Sequence, residues 1–235
     1  MTEKQTNIDP SIAQEKEPSS FKLVFALAIA GLLSGIILVS TFLYTNPLIK
    51  ANKEAAIQRA IFKVLPECDS YVSLKLEEGE LIENVVVESN KEEPDKDELL
   101  IYAGYNESKE LIGFAIPGSE PGFQDVIGVM FGYDYAQKVI IGFEVLESKE
   151  TPGLGDKIFK DVEFQANFIA LAVEPEIIAV KKGKKQKPNE VDGITGATIS
   201  TKAVVKLLNN TIDIWQISID DYIEENKIKV LNDDE

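Results

Sequence analysis

The longest apolar run of the chain lies near its amino terminus, where residues 23–44 contain no charged side chain. At about 1.5 Å per residue a helix of this length reaches roughly 33 Å, enough to cross a hydrocarbon core of about 30 Å. The run is longer than the apolar core of a signal peptide, and no A-x-A cleavage site follows it. The pattern predicts an uncleaved transmembrane anchor at residues 21–45, after a polar tail at residues 1–20.

Apolar positions keep a helical period just after this run, until Pro66 ends the pattern. The positions that recur at helical spacing are Ile57, Ala60, Ile61, Val64 and Leu65. We therefore expect a juxtamembrane amphipathic helix at residues 46–66, which docks on the domain that follows.

From residue 71 the pattern changes to short β-branched and aromatic runs separated by turn sequences. These runs are YVSLKL, LIENVVVE, LLIYAGY, LIGFAIPG, VIGVMFGY and VIIGFEVL, with EIIAV as a later strand. Most of the connections are too short for crossover helices, so the strands should pair mainly antiparallel. The polar segment SNKEEPDKDE, at residues 89–98, is expected to be a solvated excursion.

Helical patterns follow the strands. Three phenylalanines in residues 156–173 indicate irregular helix packed on the sheet, and apolar residues repeat at helical spacing from Ala203 to Leu208. Strands followed by helices around one sheet predict an α+β domain, which we place at residues 67–230.

Charge and composition exclude several classes of function. The net charge of -16 argues against nucleic-acid binding. The basic run KKGKKQKP, at residues 181–188, is expected to be a solvated hairpin tip. The absence of histidine excludes Ser-His-Asp catalysis, and the lone Cys68 cannot form an intramolecular disulfide. Any redox chemistry must therefore come from an organic cofactor. Lysines on both sides of the apolar run leave the membrane orientation open.

The segment VDGITGATIST, at residues 191–201, allows two interpretations. Its glycines permit a tight turn, and helical periodicity begins just after Thr198, so one interpretation is a threonine-capped helix. The other is an anion site, because the start of a helix presents unpaired N–H groups and the positive end of its dipole. Local pattern alone leaves both open.

The segment DGITGAT resembles the flavinylation motif of the FMN-binding domains in Rnf and Na⁺-translocating NADH:quinone reductase complexes. In that motif the last threonine, which is Thr198 here, carries FMN through a phosphoester bond installed by a separate flavin transferase. A second segment, ETPGLGDKI at Glu150–Ile158, resembles the Pro-Gly-Leu-Gly segment beside the flavin. The length and the GLGDKI sequence are most similar to the G subunit of the Rnf-type complex.

The resemblance implies a role for each matching residue. Thr198 would be the covalent FMN tether and not a catalytic residue, and Asp192 would matter for recognition by the transferase. The tight approach to the phosphate would come from Thr195, Gly196 and Ala197. The residues of the loop beside the isoalloxazine ring would be Glu150, Thr151, Pro152, Gly153, Leu154 and Gly155.

The resemblance also implies a setting: the inner membrane, with the FMN domain outside the cytoplasm, and other membrane and iron–sulfur subunits as partners. The protein would be an electron carrier within an ion-translocating complex and not a stand-alone catalyst. Two alternatives remain at this point. One is a C-type subunit of Na⁺-translocating NADH:quinone reductase, and the other is a cofactor-free, membrane-anchored sensor or binding domain.

Overall fold

The computed structural model describes residues 19–84 and 99–226. The predicted excursion at residues 89–98, nearly all of the predicted polar tail and the acidic carboxyl end lie outside the described residues. The chain divides into two compact units, Met1–Lys53 and Glu54–Glu235.

The first helix, α1, runs without interruption from Ser20 to Val64 and contains Pro47. The predicted anchor and the predicted juxtamembrane helix are thus one continuous helix. Its apolar amino-terminal part is exposed throughout, and by length and composition it could cross a membrane. Among the described residues it is the one helix that meets this criterion.

Seven strands of the second unit form one antiparallel sheet, with the order β2-β1-β3-β4-β5-β6-β7 within the described residues. Their bounds are β1 Ser70–Glu77, β2 Glu80–Glu83, β3 Leu100–Tyr105, β4 Leu111–Pro121, β5 Val126–Asp134, β6 Val139–Glu147 and β7 Leu171–Ala172. The central strands come from the predicted apolar runs, and the predicted antiparallel pairing is confirmed. The α+β class is confirmed as well.

The central strands alternate between two hydrophobic layers, as the two-residue period of a strand requires. In β5, Val129 and Phe131 point into the larger core, which contains helix α4 (Thr198–Asn226). Met130 points the other way, into a smaller cluster with Ile61 and Val64 from the end of α1. The sheet therefore lies between α4 on one face and the last turns of α1 on the other.

The end of α1 approaches the sheet backbone closely. Gly132 of β5 and Gly142 of β6 face each other in register, and a Cβ atom on either would clash with the Val64 carbonyl. Lys63 adds an ion pair to Glu144 at 2.5 Å. Glycine at both positions leaves room for the helix end against the sheet, and any larger residue there would clash with it.

Short elements connect the sheet to α4. They are α2 (Lys157–Lys160), α3 (Val162–Gln165), a 3₁₀ turn (Ala166–Phe168), β8 (Ile178–Val180) and β9 (Glu190–Asp192). The irregular helix expected after residue 156 is present. The hairpin expected at residues 181–188 is wrong, because β8 and β9 pair in parallel. The basic run is instead the exposed connection between two parallel strands.

Candidate functional site

Helix α4 begins at Thr198, but Thr198 does not cap it. The Ala197 carbonyl accepts the first bond of the helix, from the N–H of Thr201 at 3.0 Å, so Ala197 occupies the N-cap position. The Thr201 hydroxyl accepts the N–H of Ile194 at 3.1 Å and fixes the turn before the helix. The interpretation of a helix capped by Thr198 is therefore wrong, because in this turn the threonine hydroxyl that accepts a backbone N–H is that of Thr201.

The Thr198 side chain is exposed, and its hydroxyl has no hydrogen-bond partner among residues 19–84 and 99–226. In that same part of the chain, five backbone N–H groups around it also lack an acceptor. They belong to Thr195, Gly196, Thr198, Ile199 and Ser200. This concentration of donors at the positive end of a 29-residue helix favours an anion next to the Thr198 hydroxyl.

The loop that contains Leu154 packs against this turn. Gly196 has a φ of +83°, and a Cβ atom added to it would lie 3.1 Å from Leu154 Cδ2. A left-handed backbone and a close neighbour both favour glycine at this position. The two segments singled out by the sequence therefore meet in the fold.

A tight turn shapes the Leu154 loop. Gly153 has a φ of +79°, and its N–H donates to Asp156 Oδ1 at 2.7 Å. Asp156 Oδ2 accepts a hydrogen bond from Lys160 Nζ at 2.7 Å, and this interaction is the main reason that the pKa of Asp156 is lowered. The turn leaves Pro152 and Gly153 exposed and Leu154 45% exposed.

Glu150 connects the loop to its neighbours and is only 6% exposed. Its Oε1 accepts the N–H groups of Phe123 at 2.9 Å and Gln124 at 3.0 Å. Its Oε2 accepts the Ser200 hydroxyl at 2.6 Å. Burial acts to raise the pKa of Glu150, but these donors outweigh it and hold the pKa below its ordinary value.

Three segments therefore converge on one carboxylate: the β4–β5 turn, the Leu154 loop and the first turn of α4. Thr151 adds a hydrogen bond from its hydroxyl to Gln124 Oε1 at 3.2 Å. Gly155 is buried in this junction, where a Cβ atom would lie 2.5 Å from Glu150 Oε2. The geometry brings together ten of the eleven predicted residues, Glu150–Gly155 and Thr195–Thr198, and leaves out Asp192.

Asp192 has a different environment. Its Oδ1 accepts the N–H groups of Lys184 and Lys185, both at 3.0 Å, and so holds the basic connection between β8 and β9. Its backbone pairs with the side chain of Asn167. An open cavity of about 190 Å³ lies here, lined by Asp192, Asn167 and Lys182 among others. This volume is below the roughly 300 Å³ of typical cofactor sites, and neither Thr198 nor Leu154 lines the cavity.

Sequence reasoning missed the β4–β5 turn and the role of Ser200. Phe123, whose N–H donates to Glu150, is 65% exposed. Ile199, which directly precedes the Glu150 partner Ser200, is 54% exposed. Phe123, Leu154 and Ile199 are thus exposed apolar residues on the three segments that Glu150 joins, and we call them the apolar rim. The PGFQD sequence predicts a turn, but a single exposed aromatic residue is common on protein surfaces, so no local signal marks this turn as part of the site.

Comparison with known proteins gives a consistent result. The FMN-binding domain family matches residues 122–213. Two solved structures share the fold. One is NqrC of Shewanella oneidensis, with a TM-score of 0.59 and 15% identity over 74% of this chain and 99% of that one. The other is the C subunit of the Na⁺-translocating NADH-quinone reductase of Parabacteroides distasonis, with a TM-score of 0.54 and 19% identity over 72% and 94%.

Two curated relatives extend over most of the chain. The G subunit of the ion-translocating oxidoreductase complex of Methanosarcina acetivorans is 27% identical over 82% of this chain and 92% of its own. The G subunit of the Na⁺-translocating ferredoxin:NAD⁺ oxidoreductase complex of Acetobacterium woodii is 28% identical over 86% and 97%. The chain is therefore a homologue of the G subunits of Rnf-type ion-translocating oxidoreductase complexes and contains an FMN-binding domain.

Proposed function

We propose that this protein is a membrane-anchored electron-transfer subunit of an Rnf-type complex, and that it carries FMN covalently on Thr198 through the cofactor's phosphoryl group. One observation carries the assignment of the tether. The Thr198 hydroxyl is exposed and uncommitted, and it stands among five unpaired N–H groups at the start of a long helix.

The residues around Thr198 suit a phosphoryl group. Unpaired N–H groups are donors for phosphate oxygens, and the helix dipole stabilises the negative charge by about 0.3–1 kcal/mol when exposed. The left-handed Gly196 and the short side chain of Ala197 keep the backbone accessible beside the hydroxyl. Because the phosphoryl group would be bonded to Thr198 itself, no separate binding pocket for it is needed.

The apolar rim suits the ring of the cofactor. Phe123, Leu154 and Ile199 expose apolar surface that a planar aromatic ring would cover. The N–H groups of Gly153 and Leu154 already donate to Asp156 Oδ1 and to the Thr151 carbonyl, so this loop would contact the ring mainly through its apolar side chain. The bound FMN would accept and release electrons one at a time, while the protein holds and orients it and excludes water from one face.

The proposal extends to location and partners. We place the FMN domain on the extracytoplasmic side of the inner membrane, with α1 as a single-pass anchor. A covalent tether is an advantage there, because FMN lost outside the cytoplasm could not be replaced from the cytoplasmic pool. The partners would be the other membrane and iron–sulfur subunits of the complex, and a flavin transferase for maturation.

A flavinylation assay tests the tether. The full-length chain is co-expressed with a flavin transferase, and flavin fluorescence is recorded in a denaturing gel. Wild type and Lys202→Ala should both fluoresce, whereas Thr198→Ala should lose the signal completely. Lys202→Ala is the matched control, because Lys202 is an exposed residue one turn further along the same helix and lies outside the motif.

Two outcomes would contradict the proposal. Flavin retained by Thr198→Ala would place the bond on another residue. A wild-type protein with no flavin, despite a transferase that modifies a known substrate in the same cells, would favour the cofactor-free anchored domain.

A further inference from the structure

Glu150 is the one buried carboxylate in the described residues that links all three segments of the candidate site. The first segment is the β4–β5 turn, through the N–H groups of Phe123 and Gln124. The second is the Leu154 loop, to which Glu150 itself belongs. The third is α4, through Ser200, which lies two residues after Thr198.

The packing around this carboxylate allows little freedom. Added Cβ atoms on Gly122 and on Gly155 would each lie 2.5 Å from one of the two Glu150 oxygens. Both oxygens are thus enclosed by backbone and hold charge-assisted hydrogen bonds, which are shorter and stronger than neutral ones. A small displacement of Glu150 would therefore move the loop, the turn and the helix start relative to one another.

We propose that Glu150 is a positioning residue, which sets where Phe123 and Leu154 of the apolar rim lie relative to the tether at Thr198. This inference rests on the proposed function. A tether alone leaves the flavin ring free to rotate about its ribityl chain, so a defined orientation needs the rim at a fixed distance from the tether. Glu150 supplies that distance because it accepts hydrogen bonds from the Phe123 backbone N–H and from the Ser200 hydroxyl in the first turn of α4.

The inference separates attachment from orientation. Thr198 and its surrounding N–H groups lie outside the hydrogen bonds of Glu150, so a variant of Glu150 can still carry the covalent flavin. The orientation of the ring in that variant should be lost. Visible circular dichroism reports this directly, because a flavin gains a strong signal only when its surroundings hold it in one asymmetric arrangement.

The experiment uses the full-length, flavinylated protein in detergent. Intact mass gives the flavinylated fraction, and visible circular dichroism and fluorescence anisotropy are normalised to bound flavin. Glu150→Ala and Ser200→Ala should keep the flavin mass and lose the circular dichroism signal and part of the anisotropy. Glu150→Gln should retain most of both, since its amide can still accept from Phe123 and Gln124 and donate to Ser200.

Glu120 provides the matched control. It also joins the end of β4 to α4, through Lys206 at 2.5 Å and Asn210 at 3.3 Å, but further along the helix. Glu120→Gln should lower the thermal stability without changing the flavin signals. If Glu150→Ala does not fold, Ser200→Ala removes only the bond to α4 and still decides the question.

Three results would overturn the positioning role while leaving the tether intact. One is an unchanged circular dichroism signal per flavin in Ser200→Ala and Glu150→Ala. Another is an equal loss in Glu120→Gln, and the third is a Glu150→Gln variant that behaves like alanine. A wild type without flavin would instead overturn the proposed function, so the two failures are distinguishable.

Discussion

The charge on Glu150 has a consequence for stability in acid. Its pKa in the folded protein lies below its ordinary value, which is about 4.3 in an unfolded chain. Folding therefore favours the ionised carboxylate, and Glu150 stabilises the fold above that pH. The contribution is lost as the pH falls through the folded-state pKa.

We expect the free energy of unfolding to fall less steeply between about pH 5 and about pH 3 in Glu150→Gln than in wild type. Denaturant unfolding at a series of pH values measures this slope. The pKa of Asp156 is also lowered, but Asp156 is present in both proteins, so the difference isolates Glu150. Equal slopes would show that the carboxylate is not stabilised by folding.

Single residues of the site differ in how far the sequence predicts them. Thr198 and Leu154 stand in short motifs, and their resemblance to a known family marks them. Glu150 precedes such a motif, but its bonds join residues 27 and 50 positions away. Phe123 belongs to no motif, and only the fold brings its turn to the site. Long-range contacts of this kind carry no local signal.

Among the elements, the close packing of the end of α1 on Gly132 and Gly142 gives the clearest prediction. Gly132→Ala would drive a methyl group into the Val64 carbonyl, which belongs to backbone and cannot rotate away. We expect a destabilisation of at least about 1–3 kcal/mol, the usual cost of overpacking. Denaturant unfolding of the purified protein measures it.

Gly128→Ala is the control, because it makes the same change in the same strand. The nearest atom to its added Cβ would be Glu147 Cβ at 3.6 Å, an ordinary van der Waals distance. Its stability should stay within about 1 kcal/mol of wild type, since alanine suits a strand better than glycine. A Gly132→Ala variant as stable as this control would refute the close approach of α1.

The elements that the sequence predicted well share a physical cause. The side chains of the central strands alternate between two apolar layers or are apolar throughout, so the hydrophobic pattern and the turn residues indicate the same strand boundaries. The connection at residues 181–188 was misassigned because lysine-rich composition indicates exposure but not strand direction. The continuity of α1 through Pro47 was also missed, since proline normally ends or kinks a helix.

At the scale of the whole molecule, the net charge is -16, and one helix of the described residues is long and apolar enough to cross a membrane. Lysines flank the apolar run on both sides, so charge alone does not orient it. The proposed extracytoplasmic location therefore rests on the advantage that a covalent tether has outside the cytoplasm, and a separate experiment tests it.

A reporter fusion decides the orientation. Alkaline phosphatase fused to the carboxyl terminus should be active in cells, because it needs disulfides that form only outside the cytoplasm. A green fluorescent protein fused at the same position and exported through the general secretion pathway should stay dark. The opposite pair of results would put the FMN domain in the cytoplasm.

Peptide mapping of the flavinylated protein tests the central claim most directly. Trypsin should release residues 186–202 as one peptide, because Pro188 blocks cleavage after Lys187. We predict that this peptide carries the mass of FMN minus water, and that fragmentation assigns it to Thr198. The same mass on Thr195, Ser200 or Thr201, or on any other peptide, would contradict the account.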